Sequence, residues 1–200
     1  MRRVVLLAGP SGSGKSRLAR DSGLPVLNLD DFYRDGEDPG MPRHPELGIV
    51  DWDDPRAWNG EQAVDVLATI CRDGRADVPV YDIAHDRATS THEFDAGPGQ
   101  VFVAEGLFAA EIVASCRTRG ILADALVLQR APWKNFLRRL ARDLAEHRKP
   151  PLTLLRRGRA LMRAEADVVR RQVALGARPV SADQLRQALT ALARDPSGLP

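Results

Sequence analysis

Gly9-Pro10-Ser11-Gly12-Ser13-Gly14-Lys15-Ser16 reads as G-x-x-x-x-G-K-[ST], and this stretch decides the fold. Its glycines let the backbone turn sharply, so that successive N–H groups point inward at phosphate oxygens. Lys15 then reaches the outer phosphates, the start of the next helix favours negative charge, and the Ser16 hydroxyl takes a Mg²⁺ position. The context agrees. Val4–Ala8 is a short continuous apolar run, β-branched at its start, and Ser16 to about Asp21 reads as a helix. A nucleoside triphosphate, ATP or GTP, is therefore expected here. The candidate contacts are Gly9, Pro10, Ser11, Gly12, Ser13, Gly14, Lys15, Ser16 and Arg17.

Downstream, Leu24–Leu29 reads as a second buried strand ending at Asp30. Val101–Ala104 reads as a third ending at Glu105-Gly106, and Ala125–Leu128 as a fourth. Asn59 or Gly60 caps a helix whose Ala63, Val64, Leu67, Ala68 and Cys71 fall at helical spacing, and Leu107–Arg117 is a further helix. Alternating strands and helices predict a doubly wound α/β fold of three layers, with a parallel sheet of about five strands flanked by helices. In a parallel sheet the residues after the strands, Gly9, Asp30 and Glu105, emerge on one edge, where ligands bind.

The remaining stretches are less regular. Asp31 to Trp52 is rich in Pro, Gly and charge without periodicity, the mark of a functional or mobile segment. Asp77–Ile83 and Ala88–Phe94, on either side of His85-Asp86-Arg87, suggest an irregular hairpin. Asn135 to about Arg148 reads as an Arg-rich helix broken by Pro150-Pro151, and a second basic helix follows from about Thr153 to Leu175. Ser181 with Gln184 forms a capping box for a last helix to about Arg194.

Composition bounds the rest. Two hundred residues at 21.9 kDa, 44% hydrophobic and 28% charged, suit one domain and exclude a disordered, collagen-like or disulfide-rich chain. The net charge of +2 hides an asymmetry: residues 28–54 hold nine acids against Arg34 and Arg43, whereas residues 130–171 hold eleven Arg and two Lys against four acids. Cys71 and Cys116 lie far apart without metal-ligand spacing, so two reduced thiols and no structural zinc are expected. The apolar core after Arg2-Arg3 is too short for an export signal, and no run approaches a membrane span. A cytoplasmic protein is expected.

Leu27-Asn28-Leu29-Asp30-Asp31-Phe32-Tyr33-Arg34 resembles the D-[ST]-F-Y-R segment of uridine kinases (uridine–cytidine kinases), in the phosphoribulokinase/uridine kinase family of P-loop kinases. Further segments match in the same order over roughly residues 3–150. Trp52-Asp53-Asp54-Pro55 stands where that family has F-D-H-P, and Pro79-Val80-Tyr81-Asp82 where it has P-x-Y-D. Ala104-Glu105-Gly106 resembles E-G-I, and Leu137-Arg138-Arg139-Leu140-Ala141-Arg142-Asp143 resembles the R-R-x-x-R-D lid helix. The resemblance implies a single P-loop NTPase-type kinase domain over 1–200, with a substrate-binding insertion at about 34–95 and an Arg-rich lid at about 135–160.

It also implies roles. A kinase must accept the proton of an attacking hydroxyl, and Asp30, at a strand end beside the cradle, is placed to do so; the resemblance assigns it the same role. Asp31 takes the family's Ser/Thr position. Glu105 would lie near Mg²⁺ or its waters together with Ser16, and Asp53 would hold sugar hydroxyls. Arg139 would face the acceptor and Arg142 the phosphates of ATP, both from one helix face. Catalysis is thus assigned to Asp30, Lys15, Arg139 and Arg142, and substrate binding to Asp30, Tyr33, Asp53, Tyr81, His85, Arg139 and Lys149.

The expected reaction is ATP- and Mg²⁺-dependent phosphorylation of the 5′-hydroxyl of uridine or cytidine. Departures keep alternatives open. Tyr81-Asp82-Ile83-Ala84-His85-Asp86-Arg87 is one residue shorter than the family's base-reading segment, and Ile83 replaces its aromatic. In the lid, Phe136 replaces an Arg, and Lys149 stands for a planar guanidinium. A related kinase for a sugar or a pantothenate-like alcohol is the nearest alternative. A nucleotide-gated module binding nucleic acid through 130–171 is another, from a different class. The leading reading expects a small nucleoside substrate, no nucleic acid and no membrane; a homo-oligomer is compatible with it.

Overall fold

Val4 to Ala8 are all fully buried, which only a strand covered on both faces allows. In the computed structural model, which describes residues 1–10, 12–45, 48–129 and 166–194, this strand, β1 (Arg3–Ala8), is the centre of a five-stranded sheet. The others are β2 (Val26–Asn28), β5 (Val101–Glu105), β6 (Leu122–Leu128) and β7 (Arg178–Val180), in the order β2-β5-β1-β6-β7. Every pairing is parallel. The expected α/β class and strand number are observed.

The side chains of β1 alternate between two cores. Val4, Leu6 and Ala8 point to one face, where α2 (Gly60–Asp73) and α3 (Val113–Thr118) contribute Leu67, Ile70, Val113 and Cys116. Val5 and Leu7 point to the other, with Leu18 and Ala19 of α1 (Lys15–Arg20) and Leu185 and Leu189 of α4 (Ala182–Arg194). These are the three layers. Asn59 caps α2, its side chain accepting from Gln62 N at 3.1 Å. Ser181 and Gln184 exchange the two bonds of the capping box at 3.2 and 2.8 Å.

Several boundaries differ from the sequence expectation. The second strand is only Val26–Asn28, because Leu29–Phe32 tightens into a 3₁₀ turn capped by Asn28. Ala109–Ile112 is likewise 3₁₀, so the expected helix from Leu107 is helical in the α sense only over Val113–Thr118. The fourth strand begins earlier, at Leu122. The strand Arg178–Val180 was not expected. Its Pro179 sits on the sheet's edge strand, where a missing N–H is tolerated. Of the second basic helix, residues 166–174 are described, and they are helical. The lid segment, with Arg139, Arg142 and Lys149, and also Ser11, lie outside the described residues.

β3 (Arg75–Asp82) and β4 (Arg87–Asp95) form a separate antiparallel hairpin with a register shift between Val80 and Tyr81. The chain between β2 and α2 closes on itself. Tyr33 bridges Trp58, Arg34 N donates to Ala57 O and Asn59 N donates to Phe32 O, both at 2.9 Å. Trp58 anchors this closure, donating from Nε1 to Leu29 O at 2.7 Å while packed on Phe108. No described helix is long and apolar enough to cross a membrane.

The two thiols sit in the core beneath α2 and α3. Burial pushes Cys71 up to about 11 and Cys116 up to about 12. Both stay protonated at neutral pH, so a thiol reagent should react only on unfolding. An unfolded thiol titrates near about 8.5, so between there and the folded values the unfolded chain releases protons that the folded chain keeps. This contribution to stability is intact below about pH 8.5 and should decline above it, readable as a falling urea midpoint.

Candidate active site

The cradle follows β1 directly. Gly14, at φ 87°, ends it in the left-handed region and sets Lys15 as the first residue of α1. Lys15 is buried, and its Nζ lies 3.6 Å from Oε2 of Glu105, the last residue of β5 and also buried. Register fixes that meeting. Leu7 of β1 and Asn28 of β2 both stand opposite Glu105, so the three parallel strands deliver their ends to one place.

Two buried polar atoms here have no hydrogen-bond partner: Ser13 Oγ and Glu105 Oε2. Leaving buried polar atoms unmet is costly, and both face a set of groups suited to an anion and a hard cation. Ser13 and Lys15 are donors for phosphate oxygens; the Ser16 hydroxyl and the Glu105 carboxylate are oxygen ligands of the kind Mg²⁺ takes. The residues present fit a magnesium nucleotide. No group of three or more His, Cys, Asp or Glu among the described residues would hold a metal alone.

Beside the cradle stands the 3₁₀ turn after β2. Asn28 supplies the cap, accepting from Asp30 N at 3.2 Å and donating to Asp31 Oδ2 at 2.9 Å. Asp31 also accepts from Tyr81 N through Oδ1 at 3.3 Å, tying the hairpin to the sheet. Both of its oxygens are occupied in structure. Asp30 instead accepts one bond, from Leu107 N to Oδ1 at 3.1 Å, two residues beyond Glu105. Gly106 makes that approach feasible, since a Cβ there would lie 3.0 Å from Asp30 Oδ1 and 2.8 Å from Leu29 Cβ.

Aromatic rings form a wall beside Asp30. Tyr33 packs edge-on to Trp52 and Phe108 and tilts against Tyr81, with centroids 5.7 to 5.9 Å apart. Its hydroxyl donates to Trp52 O at 3.2 Å, and that of Tyr81 to Arg34 O at 3.3 Å. Burial first, then the charges of Asp30 and Asp53, hold the Tyr33 phenol far above its ordinary value. Tyr81 is pushed up to about 12, by burial and then by Asp86 and Asp35. Both phenols are neutral donors.

Asp53 stands out from its acidic neighbours much as Asp30 does. Asp54 caps the Pro55–Ala57 turn and grips Arg56 at 2.6 Å, which holds its carboxyl below the usual range; Asp51 Oδ1 accepts from Asp53 N at 3.2 Å. Asp53 is exposed, on a cavity of about 500 Å³ that it lines with Asp51, Asp54, Pro55, Arg56 and Arg171. His85 lies elsewhere, at the hairpin turn. It is exposed, and its Nδ1 is 2.6 Å from Asp82 Oδ2. Ile83 beside it is 84% exposed.

Sequence reasoning missed the helix of residues 166–174 as part of this region. Arg171 pairs with Glu111 at 3.0 Å and borders the Asp53 cavity, and Gln172 reaches Leu107 O at 2.7 Å. The available signal was a polar Gln172 three residues after Val169 on an apolar face.

No family model matches the sequence, and no curated protein matches it. Solved structures do match. One named for a fructose transport system kinase, from Silicibacter sp. TM1040, superimposes with a TM-score of 0.57 over 84% of this chain and 84% of its own, at 21% identity. The two share one fold, a parallel five-stranded α/β sheet flanked by helices. A structure named for a uridine kinase from Bacillus stearothermophilus covers 68% of this chain and 75% of its own at 20% identity, TM-score 0.46. Phosphoribulokinase from Rhodobacter spheroides covers 78% and 62% at 14% identity, TM-score 0.45. In this α/β fold the cradle, Glu105 and Asp30 occupy the C-terminal edge of the parallel sheet, where such folds bind ligands.

Proposed function

We propose that this protein is an ATP-dependent kinase that phosphorylates the 5′-hydroxyl of uridine or cytidine. One observation carries the reading. Lys15 meets Glu105 at 3.6 Å, and two residues on, Leu107 N holds the Asp30 carboxylate at 3.1 Å. Donor and acceptor machinery therefore share one short turn.

ATP with Mg²⁺ would supply the phosphoryl group and neutralise charge on it. Ser13, Lys15 and Ser16 would hold its phosphates and metal, and Glu105 the metal or its waters. Asp30 would orient the acceptor hydroxyl and take its proton as the oxygen bonds to the γ-phosphorus and the bond to ADP breaks. Asp53 would accept hydrogen bonds from vicinal sugar hydroxyls, and Tyr33, Trp52 and Tyr81 would wall that site from water. Arg139, Arg142 and Lys149 would approach from the lid, in the roles that resemblance gives them.

A second reading, a sugar or pantothenate-like alcohol as acceptor, is favoured by the hairpin. Ile83 is exposed and His85 is tied to Asp82, so neither shows contact with the aromatic wall. A coupled ADP-release assay over nucleosides, sugars and pantothenate separates the two. Uridine or cytidine should raise ADP release many-fold over the water-only rate; stimulation by a sugar or pantothenate alone would select the second reading, and no stimulation by any of them would reject both.

A further inference from the structure

Gln172 is out of character on its helix. Val169, and Leu175 just beyond the helix end, pack against the core formed with α2 and α3. Gln172 falls on the same face and is only 4% exposed. An amide buried there loses its water, and its Oε1 has no hydrogen-bond partner. Packing alone would select leucine or methionine, which fill a similar volume without polar atoms. What the amide gains is one bond: Nε2 donates to Leu107 O at 2.7 Å.

Leu107 is also the residue that holds Asp30. Its N–H donates to Asp30 Oδ1, and its C=O receives Gln172, so one residue's backbone links the two side chains. The turn has little slack, since Gly106 already lies against Leu29 and Asp30. The helix is anchored too: Arg171 pairs with Glu111, and Ala177 N closes its end on Gln172 O at 3.1 Å.

We infer that Gln172 is a positioning residue for phosphoryl transfer, fixing the orientation of the Asp30 carboxylate through the backbone of Leu107. The inference rests on the reading of Asp30 as proton acceptor. It gives residues 166–174, just after the segment bearing Arg139 and Arg142, a hold on the reacting carboxylate through a single backbone unit, Leu107. Groups that orient a reacting side chain from behind commonly carry large effects on rate and small ones on binding.

Gln172→Met keeps length and removes the donor; Gln172→Leu keeps a similar volume and removes it as well. Either should lower kcat about 10- to 100-fold, with KM for ATP, binding of a non-hydrolysable ATP analogue and the unfolding midpoint little changed. The deciding measurement repeats both substitutions in an Asp30→Asn background. No further loss should appear there, because the group being positioned is already gone. Losses that multiply with Asp30→Asn, or undiminished kcat in both Gln172 variants while Asp30→Asn is inactive, overturn the inference and leave the kinase reading standing. Full activity in Asp30→Asn itself removes the reading on which it rests.

Discussion

Asp30→Asn should lower kcat by about 10²- to 10⁴-fold, the range that a lost general base commands, while nucleotide binding stays close to wild type. The substitution is conservative where it must be. An asparagine Oδ1 can still accept from Leu107 N, so the turn after β5 and the cradle beside it keep their shape. What disappears is the anionic oxygen proposed to take the proton. Asp31→Asn is the internal control, because an amide there can still accept from Tyr81 N, and the bond with Asn28 is an exposed one. Initial rates and equilibrium ATP binding on the two variants decide between the neighbours. A large kcat loss in Asp31→Asn with none in Asp30→Asn would reverse the assignment.

Lys15→Met should have a comparably large effect, for two separable reasons. Removing a fixed cation from the phosphates should cost about 10²- to 10³-fold in kcat. It also strips Glu105 of its buried partner, and an uncompensated buried charge destabilises a protein by about 3–5 kcal/mol. Replacing both, as Lys15→Met with Glu105→Gln, removes the stranded charge. Unfolding in urea should show the double variant recovering most of the stability lost by Lys15→Met, while kcat remains at the lower level. Equal stability of the single variant and wild type would mean that the 3.6 Å contact carries no weight in the folded protein.

The fold was legible because its signals are local. Val4–Ala8, Val101–Ala104 and the cradle each declare themselves within eight residues, and parallel order follows from their alternation with helices. The 3₁₀ turns at Leu29–Phe32 and Ala109–Ile112 were not, since their tightness depends on Asn28 and on packing against the sheet. Arg178–Val180 is three residues long with a proline in the middle, and only β6 makes it a strand. At the site, strand-end position and resemblance already set Asp30 apart from Asp31, and resemblance set Asp53 apart from Asp54. The structure adds what occupies the neighbours: the backbone N of Tyr81 and nearby Asn28 hold Asp31, and Arg56, two residues on, holds Asp54. Gln172 was invisible, because its meaning lies in a carbonyl 65 positions away.

The bridge between Tyr33 and Trp58 brings the two ends of the intervening chain side by side at the sheet. A segment with its ends clamped together can be lengthened, shortened or rewritten at small entropic expense, about 0.6 kcal/mol for each doubling. On the proposed reading, donor chemistry lies outside that clamp and acceptor contacts such as Asp53 inside it. Natural variation or laboratory grafting confined to residues 34–57 can therefore change which alcohol is chosen while the engine that delivers phosphate is inherited intact.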